Sequence, residues 1–212
     1  MEDEQVRFWT IQPRQLWEQM ERGKSVRVDP DHPRYGGERP WQYDWLSAGL
    51  QRHHSGFDGG WPWWLSCIEP DLDQHRAVVL PGGRDQVSIQ LELAETRYAT
   101  FPLWMWETIH TGHYLAFTQE DLDEWHGALG SAGLGPDTAQ LPEPWRGRLE
   151  SSWERIFDRG PHPRFWYRDR EVSEDDSARN TLMREASEDP VGLTQELRAS
   201  DVLEVVLFTA VE

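Results

Sequence analysis

The stretch that decides the fold is QVSIQLEL, residues 86–93. Apolar and polar residues alternate along it, and successive side chains of a β-strand point to opposite faces of a sheet. The pattern places Val87, Ile89, Leu91 and Leu93 on one face and the polar residues between them on the other. The stretch therefore predicts a strand with one buried face.

A strand, a helix and a second strand are predicted at the N-terminal end. Residues 6–11 are rich in β-forming side chains, and Pro13 suits the first turn of a helix. Apolar residues then recur at helical spacing, and Gly23 is placed to end that helix. The alternation over residues 25–28 predicts the second strand.

The rest of the chain mixes helices and strands without a regular βαβ alternation. Helices are predicted over residues 41–54, 101–110, 119–129 and 144–158, the second capped by Thr100 and the third by Thr118. Strands are predicted over residues 61–68, 193–197 and 202–209. This mixture favours an α+β fold: a single domain over residues 1–212 with a mixed or largely antiparallel sheet and about four packed helices. Residues 171–190 are charged and turn-rich, and we expect a mobile loop there.

Charge excludes several classes of partner. The formal net charge of the 212 residues is −17, which argues against a nucleic-acid partner and against adsorption to an anionic membrane. It permits a basic protein partner or a cationic ligand, or serves solubility alone. Cys67 is the single cysteine, so an intrachain disulfide is excluded and a reducing compartment is favoured. With neither a signal-peptide pattern nor an apolar run of about 20 residues, we expect a soluble cytoplasmic protein of undetermined oligomeric state.

Tryptophan is unusually frequent, with 13 in the chain. Each indole buries a large apolar surface and keeps one N–H that needs an acceptor. The tryptophans can fill the core, or they can line a pocket that grips a flat or cationic ligand by stacking and cation–π attraction. Trp45, Trp61 and Trp63 are the candidate pocket residues, and strand alternation allows Trp61 and Trp63 to share a face.

Two groups of residues have the composition of a metal site. Glu107, His110 and His113 have helical spacing and could bind zinc together with His126. The alternative is a helix end whose histidines interact favourably with the helix dipole. The second group, the His53–His54 pair with Cys67 and His75, matches no zinc framework, so no metal ligand is assigned.

The chain resembles a bacterial family known as domain-of-unknown-function family 3841. The residues that carry the resemblance extend over most of the chain, in order: Trp9-Thr10-Ile11-Gln12-Pro13, Tyr43-Asp44-Trp45-Leu46, Trp61 to Trp64, Leu91-Glu92-Leu93, Trp104, Trp153-Glu154-Arg155-Ile156-Phe157-Asp158, Glu196-Leu197, Asp201-Val202 and Phe208. The resemblance implies one domain of cytoplasmic type and implies no activity.

The layout of the chain is also remotely similar to that of ADP-ribosyltransferases. In that superfamily a late strand carries a Glu that contacts the nicotinamide ribose of NAD, and a His or Arg on the first strand grips the cofactor. The resemblance implies Glu196 as the catalytic carboxylate, Arg7 as the gripping residue and NAD as the cofactor, with Thr10 and Gln12 of the first strand assigned to ligand binding as well. A carboxylate in this place would stabilise an oxocarbenium-like centre. The alternative is that Glu196 is an exposed acid on a strand.

Two classes of function therefore stay open. One is a small-molecule-binding or nucleotide-binding domain, with ADP-ribosyltransferase-like catalysis as its specific form and a Trp-lined pocket beside Glu196 and Glu92. The other is a non-catalytic acidic protein that binds a basic protein partner. A concave pocket with a carboxylate of perturbed pKa favours the first class, and a flat acidic patch with exposed aromatic residues favours the second.

Overall fold

The computed structural model describes residues 5–31, 41–76, 84–135, 141–158 and 190–210. Within these ranges six strands form one sheet: β1 Gln5–Pro13, β2 Trp63–Ser66, β3 Asp85–Ala94, β4 Ala99–Pro102, β5 Pro190–Thr194 and β6 Val202–Thr209. Six α-helices accompany them in the same ranges: α1 Arg14–Glu21, α2 Trp41–His53, α3 Leu72–His75, α4 Leu103–His110, α5 Gln119–Ser131 and α6 Glu143–Trp153. The predicted α+β class with an antiparallel sheet is confirmed.

The sheet is built around the long strand predicted first. The strand order is β4-β5-β2-β1-β3-β6, and β3 pairs antiparallel with β1 on one side and β6 on the other. The β1–β3 pairing runs from Gln5 opposite Ala94 to Pro13 opposite Gln86. The four apolar side chains of β3 are each at most 1% exposed, which confirms their predicted common face.

Helix α1 covers that apolar face of the sheet. It follows β1 directly after Pro13, and it buries Leu16 and Met20, which are four residues apart and therefore on one side of the helix. Both side chains join the cluster around Phe8 of β1, and full burial of such a side chain stabilises the fold by about 1.5–3 kcal/mol. Gly23 follows the helix with a φ of +79°, a backbone conformation that glycine adopts without strain, so its predicted role is confirmed.

The described residues fall into two compact units, and the sheet strands β1–β3, β5 and β6 lie in the first. That unit comprises Met1–Thr100 with Pro190–Glu212, and the second comprises Phe101–Asp189. The extent of a single domain over residues 1–212 stays a prediction. The mobile loop predicted over residues 171–190 lies outside the described residues except for Pro190, which begins β5.

In the second unit, the start of α5 is held by a polar cluster. Thr118 caps the helix as predicted, because its hydroxyl accepts a hydrogen bond from the backbone N–H of Asp121 at 3.1 Å. The Asp121 carboxylate in turn accepts hydrogen bonds from the Tyr114 hydroxyl at 3.0 Å, the Phe117 N–H at 3.2 Å and Arg155. These bonds keep the pKa of Asp121 below its ordinary value although burial raises it.

Three local predictions are wrong. Thr100 does not cap a helix, because it lies within β4, which continues to Pro102; Pro102 precedes the first helical residue, Leu103. The strand predicted over residues 25–28 reduces to a single bridge between Val26 and Leu197, because the chain after Leu197 enters the 3₁₀ turn Ala199–Asp201. The strand predicted over residues 193–197 ends at Thr194, so Glu196 follows the strand instead of lying on it.

Candidate functional site

A cleft of about 370 Å³ opens in the first unit beyond the end of β5. Hydrogen-bonding side chains dominate its lining, which consists of Arg27, Ser55, Gly56, Thr96, Arg97, Thr194, Gln195, Glu196 and Arg198. We call it the Glu196 cleft, after the one carboxylate among its described lining residues. Its lining comes from four segments: the chain after α1, the turn after α2, the turn after β3, and the end of β5 with the chain that follows it.

The bridge between Val26 and Leu197 brings the charged residues together. Their backbones exchange two hydrogen bonds of 2.9 Å each. Because the bridge is antiparallel, Arg27 lies opposite Glu196, on the adjacent pair of positions. The indole N–H of Trp63 donates to the Val26 carbonyl at 2.9 Å and supports the bridge from the core.

The carboxylate of Glu196 is held by two arginines. Arg198 donates to its Oε1, and Nε of Arg27 lies 3.7 Å from its Oε2. Burial raises the pKa of Glu196, but hydrogen bonds from Arg198 and Ser25 and the charges of Arg198 and Arg27 outweigh it, so the pKa lies below its ordinary value. Glu196 is therefore an ionised, buried carboxylate at neutral pH, and the alternative of an exposed strand acid is wrong.

Arg97 is fixed more firmly than the other two arginines. It donates to Asp201 at 2.6 Å and to the backbone carbonyl of Glu196 at 3.3 Å. The hydroxyl of Thr194 donates to the backbone carbonyl of Arg97 at 2.9 Å. Arg97 therefore forms part of the wall and ties the turn after β3 to the chain after β5.

Arg27 also binds a second acid. It forms a hydrogen-bonded ion pair with Asp58, which raises the pKa of Arg27 and lowers the pKa of Asp58. Both side chains are about half exposed, and exposed ion pairs contribute only about 0–1 kcal/mol. Arg27 can therefore exchange Asp58 for an anionic ligand at little cost.

A glycine allows the wall of the cleft to close up. A Cβ on Gly56 would lie 2.0 Å from the backbone oxygen of Thr96, closer than any real side chain approaches a carbonyl. The turn after α2 can therefore lie against the turn after β3 only with glycine at this position.

The predicted residues of β1 do not line the cleft. Arg7 is exposed, and its Nε lies 3.9 Å from the carboxylate of Glu92 on the neighbouring strand β3. Thr10 and Gln12 are buried: the Gln12 amide donates to the Thr10 hydroxyl at 2.8 Å, and that hydroxyl lies 3.5 Å from the Trp64 carbonyl. Their role in ligand binding stays a prediction, and the structure does not bring them to Glu196.

The candidate tryptophans lie elsewhere too. Trp61 is 4% exposed, stacks on Tyr43 and donates its N–H to Asp44 at 3.0 Å. Trp63 is 5% exposed, and its indole N–H donates to the carbonyl of Val26, which precedes Arg27 of the lining. Trp45 is half-buried. Among the described residues that line the Glu196 cleft none is a tryptophan, and the Trp-lined pocket stays a prediction.

The candidate metal sites gain no support in the part of the chain that is described. There, no three residues of the types His, Cys, Asp and Glu come together as a metal site would require. The ring of His113 pairs with the Thr111 hydroxyl at 2.8 Å, and burial raises the pKa of Glu107.

Sequence reasoning missed the arginines of the cleft. The signal for Arg198 was present, because residues two apart in an extended segment share a face, and Arg198 follows Glu196 by two positions. Arg27 and Arg97 gave no such signal, because they reach Glu196 through pairings between distant segments.

Among the helices that the structure describes, none combines the length and the apolar character that a membrane crossing needs.

One comparison with known proteins gave a match. The sequence model of a family described as Domain of unknown function (DUF3841) matches residues 7–172. Comparison with curated proteins and with solved structures gave no match. The matched range includes Arg27 and Arg97, whereas Glu196 and Arg198 lie beyond it.

Proposed function

The chain belongs to the DUF3841 family, and we propose that this member binds a small anionic molecule of the nucleotide class in the Glu196 cleft. The observation that carries the proposal is the convergence of three guanidinium groups, from Arg27, Arg97 and Arg198, on one cleft. Guanidinium groups bind phosphate oxygens through parallel N–H donors, which makes arginine the preferred residue for phosphate recognition.

The rest of the lining supports a polar ligand. Ser55, Thr96 and Thr194 carry hydroxyls and Gln195 carries an amide, and such groups fix the orientation of a small molecule in its pocket. The volume of about 370 Å³ lies in the range of small-molecule sites, about 300–1,000 Å³. The chain's net charge of −17 repels an anion at long range, so binding would depend on these local donors.

The finer hypothesis is that the protein hydrolyses NAD or transfers ADP-ribose from NAD to an acceptor. In that reaction the bond between ribose C1′ and the nicotinamide nitrogen breaks, and its electron pair leaves with nicotinamide. Water or an acceptor side chain then bonds to C1′ and loses a proton. The ionised state of Glu196 supports this role, because a carboxylate close to C1′ would stabilise the positive charge that develops there.

Binding is tested by following tryptophan fluorescence while NAD, ADP-ribose or ATP is added. We expect a saturable change with at least one of them. No change with any nucleotide, confirmed by calorimetry, would overturn the proposal and favour an acidic protein that binds a basic partner.

The catalytic hypothesis needs its own measurement, which is the release of nicotinamide from NAD. Release that is lost in Glu196→Gln, with NAD binding retained, would support it. Binding without any release would leave a nucleotide-binding domain. An Arg7→Gln variant that binds NAD as tightly as the wild type would overturn the gripping role predicted for Arg7.

A further inference from the structure

We infer that the Glu196 cleft recognises the phosphorylated-sugar part of its ligand, with the phosphate bound by Arg27 and Arg198 and a sugar hydroxyl bound by Glu196. The inference rests on the proposed function and makes it more specific. Two observations support it: Arg27 and Arg198 are exposed enough to move, and Glu196 is buried and needs hydrogen-bond donors once they have moved.

The three arginines of the cleft differ in their freedom to move. The side chains of Arg27 and Arg198 are 50% and 48% exposed. Arg97 is 22% exposed and pairs with Asp201, which is 11% exposed. A ligand can therefore recruit Arg27 and Arg198 by small side-chain rotations, whereas Arg97 would have to leave a buried acid. Arg97 is a positioning residue on this account.

A phosphate competes with Glu196 for the same two guanidiniums. Arg198 and Arg27 approach different oxygens of that carboxylate, so each can be withdrawn separately. A phosphate offers more negative charge than a carboxylate and three oxygens as acceptors, which makes it the stronger partner for a pair of arginines.

Withdrawal of the arginines turns Glu196 into a ligand-binding group. Its side chain is only 11% exposed, so the carboxylate requires new hydrogen-bond donors when the two arginines leave it. A sugar hydroxyl next to the phosphate can donate to it, as acidic side chains bind ribose hydroxyls in dinucleotide sites. The phosphate and the hydroxyl are thereby recognised together.

Calorimetric titration with four probes tests this assignment: inorganic phosphate, ribose 5-phosphate, ribose and adenosine. We expect ribose 5-phosphate to bind at least tenfold more tightly than phosphate, and ribose and adenosine to bind much more weakly than either. Arg27→Gln should weaken ribose 5-phosphate binding at least tenfold. Arg14→Gln is the matched control, because its side chain is 51% exposed, forms an ion pair with Glu18 on the same helix and is not among the described residues that line the cleft; it should bind like the wild type.

Glu196→Gln gives the sharpest test, because its two expected effects have opposite signs. Removing the competing carboxylate should strengthen phosphate binding, while the advantage of ribose 5-phosphate over phosphate should disappear. Weaker phosphate binding by a folded Glu196→Gln, or tighter binding of adenosine than of ribose 5-phosphate, would overturn the inference. Nucleotide binding without ribose 5-phosphate binding would refute this inference alone, whereas the absence of all nucleotide and phosphate binding would refute the proposed function.

Discussion

The backbones of Val26 and Leu197 exchange two hydrogen bonds of 2.9 Å, and this bridge is the contact on which the Glu196 cleft depends. The bridge lies outside the regular strands. It joins the segment that carries Arg27 to the segment that carries Glu196 and Arg198, and all three residues line the cleft. A single bridge fixes the position of the two segments but leaves the side chains of Arg27 and Arg198 about half exposed. That combination suits a site whose arginines must move to meet a ligand.

Trp63→Phe should weaken the site from within the core. The substitution removes the N–H bond to the Val26 carbonyl and part of a buried ring, which we expect to cost about 1–3 kcal/mol of unfolding free energy in urea titrations. ADP-ribose affinity should fall roughly threefold to tenfold, because Arg27 loses its anchored neighbour. Trp61→Phe is the control with the same change in size, since its N–H bonds to Asp44. Equal loss of affinity in the two variants would refute the link through Val26.

Gly56→Ala should damage both stability and binding. The new Cβ would lie 2.0 Å from the Thr96 carbonyl oxygen, so the two turns must separate, at a cost of about 1–3 kcal/mol. Gly127→Ala provides a contrast, because nothing lies within 4 Å of its Cβ and it is inside α5. That variant should gain about 0.5–1 kcal/mol. Hydrogen exchange of the turn after α2 and of α5 measures the two changes in stability. Unchanged protection of that turn in Gly56→Ala would contradict the close approach of Gly56 to Thr96.

Acid should remove the stabilisation that Glu196 provides. Its pKa in the folded protein lies below the ordinary value of about 4.3, so ionised Glu196 adds stability above that pH and loses its effect as the pH falls through the folded pKa. We expect Glu196→Gln to be about 1–2 kcal/mol less stable than the wild type at pH 7. The difference should shrink as the pH falls through the pKa of Glu196 in the folded protein. Unfolding curves that give a constant difference at every pH would contradict the ionised, arginine-bound state.

The second unit should depend on Asp121. Asp121→Ala leaves Tyr114, the Phe117 N–H and Arg155 without their shared acceptor, and we expect a loss of about 2–3 kcal/mol. Asp123→Ala is the control on the same helix, because the hydrogen bond that Asp123 accepts from Gln119 lies at the surface. It should change stability by at most about 0.5 kcal/mol. Thermal unfolding measures both losses, and equal losses in the two variants would show that the polar cluster contributes nothing specific.

Local pattern predicted the regular elements better than it predicted the cleft. Strands β3 and β6 were predicted to within one residue, because alternation is a property of neighbouring residues. Glu196 was predicted as a candidate and lines the cleft, but its strand placement was wrong and its arginine partners were missed. The bridge that unites Arg27 with Glu196 joins segments from the two ends of the chain, and no local spacing encodes such a pairing. The tryptophan clusters also left their role open, because core rings and pocket rings have the same local spacing.

The most direct test of the central claim is calorimetric titration of ADP-ribose into the wild type, Arg198→Gln and Arg14→Gln. We predict saturable binding to the wild type, an affinity at least about tenfold lower in Arg198→Gln, equivalent to about 1.4 kcal/mol, and no change in Arg14→Gln. The same affinity in all three proteins would place any bound nucleotide outside the Glu196 cleft and contradict the account.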